Sequence, residues 1–198
     1  MGCGCCEPRD RYLPVFVMDN FLRRLIAPPE KKISKFATAG RVTADIGCGP
    51  GYFAIPMAER VGAKGKVYAA DADPKSIDAL KAKIGARGLQ NTVEAQTTSA
   101  ADLSFIPDQT VDFAFASGVL CCMKDHKGAI AEIKRILKPD GLCYLSVTKL
   151  FRKQDPRAVP KREWDQILEG FEIKETHDGV MNRSAIVCLK NPKPSEIV

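Results

Sequence analysis

The segment Asp45-Ile46-Gly47-Cys48-Gly49-Pro50-Gly51 is the part of this chain best equipped for chemistry. Glycines at alternate positions let the backbone bend sharply and approach a ligand with no Cβ in the way. An apolar run leads into this turn and a helix-forming run leads out of it. The turn therefore opens at a helix N-terminus, whose unpaired N–H groups suit a ligand carboxylate as well as a phosphate. Asp45, two residues before the first glycine, would repel a pyrophosphate and attract an ammonium. Asp71, 20 residues after Gly51, is spaced to grip a ribose diol. The glycine spacing is G-x-G-x-G rather than the G-x-G-x-x-G of dinucleotide-binding turns. These features together favour S-adenosylmethionine (SAM) over a nicotinamide dinucleotide. Two other readings stand beside this one: a tight turn in another nucleotide-binding fold, and Asp71 as a helix N-cap ahead of Pro74.

Other reactive side chains are less organised. The chain has eight cysteines without the spacing of a disulfide ladder. Cys48, Cys143 and Cys188 lie in or beside apolar runs, as small hydrophobes do. Cys3, Cys5 and Cys6 crowd four positions and could hold a soft metal, but no further Cys or His follows nearby to complete a tetrahedral set. Cys121-Cys122 is read as packing; the alternative is a pair of thiolates binding a soft acceptor such as a metalloid, with Cys3–Cys6 folding over it. His126 is expected to be solvated, with a catalytic base as the alternative. His177 is expected to be structural, and Tyr12 could cover the ligand pocket.

The elements that must position these residues follow from periodicity. Residues 1–14 read as a loose arm and 15–39 as a helical cap, with Val15, Met18, Leu22, Leu25 and Ile26 on one face. Pro28-Pro29 ends that helix, and Pro29 opens a short one through Phe36. Strands are expected at Arg41–Ile46, Lys66–Ala70, Thr92–Gln96, Val111–Ala116 and Leu142–Thr148. Helices are expected at Tyr52–Val61, Pro74–Arg87 and Lys127–Leu137, with Lys138–Gly141 as a turn. The charged, Pro-rich residues 151–162 read as a loop and Glu163–Leu168 as a short helix. Two more strands, Gly170–Thr176 and Ala185–Leu189, flank a turn near Asp178-Gly179. Strands alternating with helices specify a parallel sheet with helices on both faces, closed here by an antiparallel pair.

Composition fits one globular domain: 198 residues, 45% hydrophobic and 27% charged. No window reaches the roughly 20 apolar residues of a membrane span. The first ten residues lack the basic start and apolar core of a secretory signal, so a cytoplasmic protein is expected. The net charge of +6 is spread along the chain apart from a modest basic run at 152–162, which argues against a nucleic-acid partner. Monomer and homodimer both remain open.

Residues 40–148 resemble a class I SAM-dependent methyltransferase of the group that includes the ubiquinone/menaquinone-biosynthesis type and the type 11 domain. Four segments carry the likeness: Asp45–Gly51, Val67–Pro74, Ile106–Asp112 and Arg135–Gly141. The resemblance implies a Rossmann-like three-layer α/β/α sandwich, with a mostly parallel seven-stranded sheet and an antiparallel C-terminal strand, over residues 40–191, and a tail at 192–198. It implies SAM as cofactor and an unidentified, small-molecule methyl acceptor. Gly47 and Gly49 would pass under the methionine part of SAM, and Asp45 would hold its amino group. Asp71 would bind the ribose, with Ala72 against the adenine. Ser99-Ala100 stands where the family has an Asp and a small residue at the adenine edge; Asp102 is the alternative register. Ser117 matches a position near the methionine moiety and the acceptor mouth. The acceptor is not encoded in any segment. The alternatives to small-molecule transfer are therefore a non-catalytic SAM-binding module and a methyltransferase acting on a metalloid, a thiol or nucleic acid.

Overall fold

A computed structural model describes residues 28–149 and 158–190. The expectations for the N-terminal arm, for most of the helical cap, for Cys3, Cys5, Cys6 and Tyr12, for most of the basic loop and for the tail lie outside these residues. The helices are α1 (Glu30–Ile33), α2 (Ala54–Val61), α3 (Pro74–Arg87), α4 (His126–Ile136) and α5 (Lys161–Ile167). The strands are β1 (Val42–Ile46), β2 (Lys66–Asp71), β3 (Val93–Thr97), β4 (Val111–Ser117), β5 (Leu137–Thr148), β6 (Phe171–Asp178) and β7 (Asn182–Leu189). They form one sheet in the order β3-β2-β1-β4-β5-β7-β6. The first five strands run parallel, and β7 pairs antiparallel with both β5 and β6. This is the expected α/β sandwich with its antiparallel C-terminal end.

Alternation along the central strands sends side chains to two cores. Ala44 and Ile46 of β1, with Ala114 and Ala116 of β4, face Ile130, Ile133 and Ile136 of α4 and Trp164 and Ile167 of α5. Phe113 and Phe115 face the other way, toward Ile55, Met57 and Val61 of α2, Leu80 of α3 and Ile33 of α1. Phe113 stacks on Phe36 with centroids 4.6 Å apart. No helix among the described residues is long and apolar enough to cross a membrane.

Local chemistry sets the edges of the elements. Asp73 caps α3: its carboxylate accepts from Lys75 N, Ser76 N and Ser76 Oγ. Pro74 occupies the first helical position and Gly88 ends the helix in the left-handed conformation at φ 66°. The cap is thus Asp73, which removes that alternative for Asp71.

Most elements shift by one to three residues at their ends, and the boundary between α4 and β5 differs in kind from the sequence expectation. Lys138–Gly141 is not a turn between helix and strand; it lies inside β5, at an irregularity opposite Val111 and Phe113. The four residues look like a turn because Pro, Asp and Gly cluster there. They are held in the sheet because Leu137 already pairs with Val111. A Cβ at Gly141 would sit 2.8 Å from the Val111 carbonyl, so only glycine fits the crossing.

Ile106–Asp112 and Arg135–Gly141 meet in that same region and form a clamp. The Arg135 guanidinium donates to the carbonyls of Leu103 and Ile106 and to Glu132 and Asp108. The Asp112 carboxylate accepts from Lys138 Nζ (2.7 Å) and from Val42 N (2.8 Å), tying β5 and β1 to β4. These two segments therefore specify framework, while Asp45–Gly51 and Val67–Pro74 build the site.

Candidate functional site

From β1 the sheet grows outward through β2 to β3 on one side, and through β4 and β5 on the other. The carboxyl ends of β1 and β4 therefore open a crevice where the winding direction changes, the usual ligand position in such sheets. The turn after β1 enters this crevice. Gly47 N and Cys48 N both donate to the Ala70 carbonyl of β2, at 2.8 and 3.0 Å. Gly47, Gly49 and Gly51 all have positive φ, at 74°, 52° and 89°. Across the crevice the turn after β4 comes so close that a Cβ on Gly47 would lie 2.7 Å from Val119 Cβ.

Two carboxylates share this turn. Asp71, at the end of β2, accepts from Gly49 N through Oδ2 (2.7 Å) and from Asp73 N through Oδ1 (2.9 Å). Partial burial nevertheless raises its pKa, with Asp73 adding repulsion against those two bonds. Asp45, at the end of β1, is 2% exposed. Burial, and then repulsion by Asp71, push its pKa up to about 8, against the Ala54 N–H at the start of α2. Asp45 Oδ2 has no hydrogen-bond partner among the described residues. A buried, unpaired carboxyl oxygen is unfavourable by itself and marks a place for a donor that the chain does not supply. A cationic N–H group meets that requirement; a phosphate oxygen would add a third acceptor to two carboxylates.

The remaining expected residues group around this centre with differing definition. Ala72 follows Asp71 and is exposed. Thr98 N donates to the Asp71 carbonyl, so the segment after β3 lies beside the end of β2. In that segment Ala100 is buried and Ser99 exposed. Ser99 Oγ accepts from Ala101 N, and Asp102 Oδ1 accepts from Ser104 N, so both side chains also serve the local turn. Ser117 ends β4 and its hydroxyl lies 3.0 Å from Ser146 Oγ on β5.

His126 departs from expectation. It begins α4 and is mostly buried rather than solvated; Nδ1 is 2.9 Å from a Glu163 carboxylate oxygen and Nε2 is 2.5 Å from the Leu120 carbonyl. Both ring nitrogens face acceptors, so the ring links the post-β4 turn to α5. Sequence missed this because Glu163 is remote along the chain. The Arg135 clamp was likewise visible only as two separate segments.

Comparison with known proteins covers most of this architecture. Residues 44–145 match the family profile described as a methyltransferase domain. A demethylmenaquinone methyltransferase of Lactobacillus johnsonii is 30% identical over 133 residues, which is 67% of this chain and 52% of the relative. A nocamycin O-methyltransferase of Saccharothrix syringae is 36% identical over 97 residues, 49% of this chain and 34% of that protein. The chain spans about half the length of the curated demethylmenaquinone relative, and less of others it matches. The crystal structure of a SAM-dependent methyltransferase from Aquifex aeolicus superposes with a TM-score of 0.75 at 25% identity, covering 89% of this chain and 97% of that one.

Proposed function

Because this chain belongs to the methyltransferase-domain family, we propose that it binds SAM in the crevice after β1 and transfers its methyl group to a small-molecule acceptor. The observation that carries this reading is Asp45 Oδ2, buried and without a partner inside a glycine turn. The residues present fit the group: one carboxylate awaits a cationic donor, a second closes the next strand end, and glycines leave the space between them free. The proposal extends to residues 40–191 as the SAM-binding unit.

Bound SAM supplies an electrophilic methyl on a sulfonium. The chain's own work is binding and alignment, which account for much of the barrier reduction in an in-line displacement. Asp45 would hold the amino group, with Gly47 and Gly49 beneath the methionine chain. Asp71 would take the ribose hydroxyls, with Ala72 against the adenine and Ser99 and Ala100 at the adenine edge. Ser117 would sit between the methionine moiety and the acceptor mouth. The small-molecule acceptor is supported by relatives named for demethylmenaquinone and nocamycin. Free thiols at Cys48, Cys121, Cys122, Cys143 and Cys188 support a reducing, cytoplasmic setting.

The deciding experiment is incubation with methyl-labelled SAM and a pool of small metabolites. Formation of S-adenosylhomocysteine together with a labelled small molecule is the expected outcome. Tight SAM binding with no turnover against any pool would make the chain a binding module instead. A narrower test concerns Asp71→Ala. It removes the assigned ribose contact and the bond to Gly49 N, so SAM affinity should fall by about 10- to 100-fold, from the loss of charge-assisted hydrogen bonds. Unchanged affinity by calorimetry would remove Asp71 from the ribose.

A further inference from the structure

The glycine turn after β1 has a back wall, and that wall is α3. Leu80 and Lys83, three residues apart on one face of α3, both reach the turn. Leu80 is fully buried, and a Cβ added to Gly51 would lie 2.5 Å from its Cδ1. Lys83 is half-buried, and its Nζ donates to the Pro50 carbonyl at 2.7 Å. Lys75 and Lys81 of the same helix are exposed.

The Lys83 bond falls where the turn is least restrained by its own sequence. Proline fixes φ at residue 50 but leaves ψ free. Gly51, at φ 89°, has no Cβ to resist rotation. The peptide unit between them is therefore free to rotate as a plane unless something outside it intervenes. Two hydrogen bonds do so. Its N–H, on Gly51, donates to the Cys48 carbonyl at 3.1 Å, and its carbonyl, on Pro50, accepts from Lys83. The preceding amides are held as well: Gly47 N and Cys48 N by the Ala70 carbonyl, and Gly49 N by Asp71. Those anchors belong to β2, which pairs with β1 in any case. The Lys83 anchor comes from one side chain of a helix and can be removed without touching the sheet.

We infer that Lys83 is a positioning residue of the SAM site. Acting through the Pro50 carbonyl rather than on SAM, it fixes the Pro50–Gly51 peptide and so sets the turn before the ligand arrives. A turn set in advance raises the fraction of ligand-free chain able to bind, and apparent affinity follows that fraction. The identity of the ligand rests on the SAM reading; the pin on the turn stands without it.

Lys83→Met keeps the stem and removes the ammonium. Calorimetry should show SAM binding weakened about tenfold, because a hydrogen bond from a charged donor is lost and the turn must be ordered during binding. In the same ligand-free variant, hydrogen exchange at the Gly51 amide should accelerate about tenfold or more, since its bond to Cys48 opens locally. Amides within β1 and β2 should keep their wild-type rates. Lys83→Arg, which retains a charged donor on a long stem, should recover most of both properties. Undiminished SAM affinity in folded Lys83→Met overturns the proposal. Acceleration spread evenly over the sheet also overturns it, because Lys83 would then support the whole fold. The wild-type chain supplies a check that needs no substitution. Under a limiting amine-acetylating reagent, with sites located by mass spectrometry, Lys83 should react several-fold more slowly than Lys81, and more slowly still with SAM present. Equal rates at the two lysines refute the pin. If the wild-type chain binds no SAM, the donor reading falls, and exchange at Gly51 in Lys83→Met decides the pin alone, unchanged exchange refuting it.

Discussion

Titration of SAM into the protein at about pH 6.5 should release about one proton per molecule bound, with Asp45 as its source. Repeating the titration in buffers of different ionisation heat measures that proton directly. The reasoning begins with burial. Asp45 has its pKa raised from 3.8 to about 8, chiefly by desolvation and next by repulsion from Asp71. The ligand-free protein thus holds Asp45 protonated at pH 6.5. An ammonium placed against Oδ2 favours the carboxylate and expels the proton, so SAM affinity should rise with pH up to about 8.

The same shift fixes the stability of the ligand-free chain. The folded carboxyl keeps its proton where the unfolded one has lost it. Stability associated with that proton is full below about pH 4 and is lost as pH rises through about 8; Asp71, also raised, acts in the same direction. The loss from Asp45 is about 6 kcal/mol at most. Asp45→Asn keeps the shape and removes the titration. It should abolish the proton release, flatten the pH dependence of the melting temperature, and reduce SAM affinity by about 10- to 100-fold. A wild-type titration that releases no proton would remove Asp45 from the amino group.

Gly47→Ala should damage both the fold and the site. At φ 74° any L side chain is strained by about 1–2 kcal/mol. The new Cβ would also lie 2.7 Å from Val119 Cβ and 2.8 Å from Cγ2. Val119 Cβ is anchored directly on the backbone, so the turn after β4 must shift as a body. The combined loss should be about 2–4 kcal/mol, seen as a fall in melting temperature of about 5–12 °C, with SAM binding lost. Val119→Gly in the same chain should restore the steric part and leave the dihedral part. If Gly47→Ala alone keeps wild-type stability and SAM affinity, the close approach of the two turns is not a requirement of the site.

Much of this site was legible because it is local in sequence. Asp45, the three glycines and the following helix lie within one short stretch, and the chemistry of each follows from its type. Asp71 was found through its distance from Gly51, but its neighbour Asp73 was not recognised as the cap that leaves Asp71 available. Alternation in β1 and β4 was readable as buried strand; which face each residue served was not, since both faces are covered. What escaped notice was set by contacts between distant positions. Glu163 determines that His126 links the post-β4 turn to α5. Leu137 pairing with Val111 turns a Pro-Asp-Gly turn signal into strand.

One further property belongs to the antiparallel end of the sheet. Lys149 N donates to the Met181 carbonyl, and Val159 N returns to donate to the Thr148 carbonyl, while Arg183 holds the Val159 carbonyl. The chain thus leaves and returns at neighbouring rungs, one held by Met181 just before β7 and the other by Thr148 of β5 and Arg183 of β7. The span between has its ends set independently of its length. Doubling such a connection costs only about 0.6 kcal/mol in closure entropy. Its two ends are thus anchored on adjoining rungs of one sheet, so a change of length between 149 and 158 need not move either anchor.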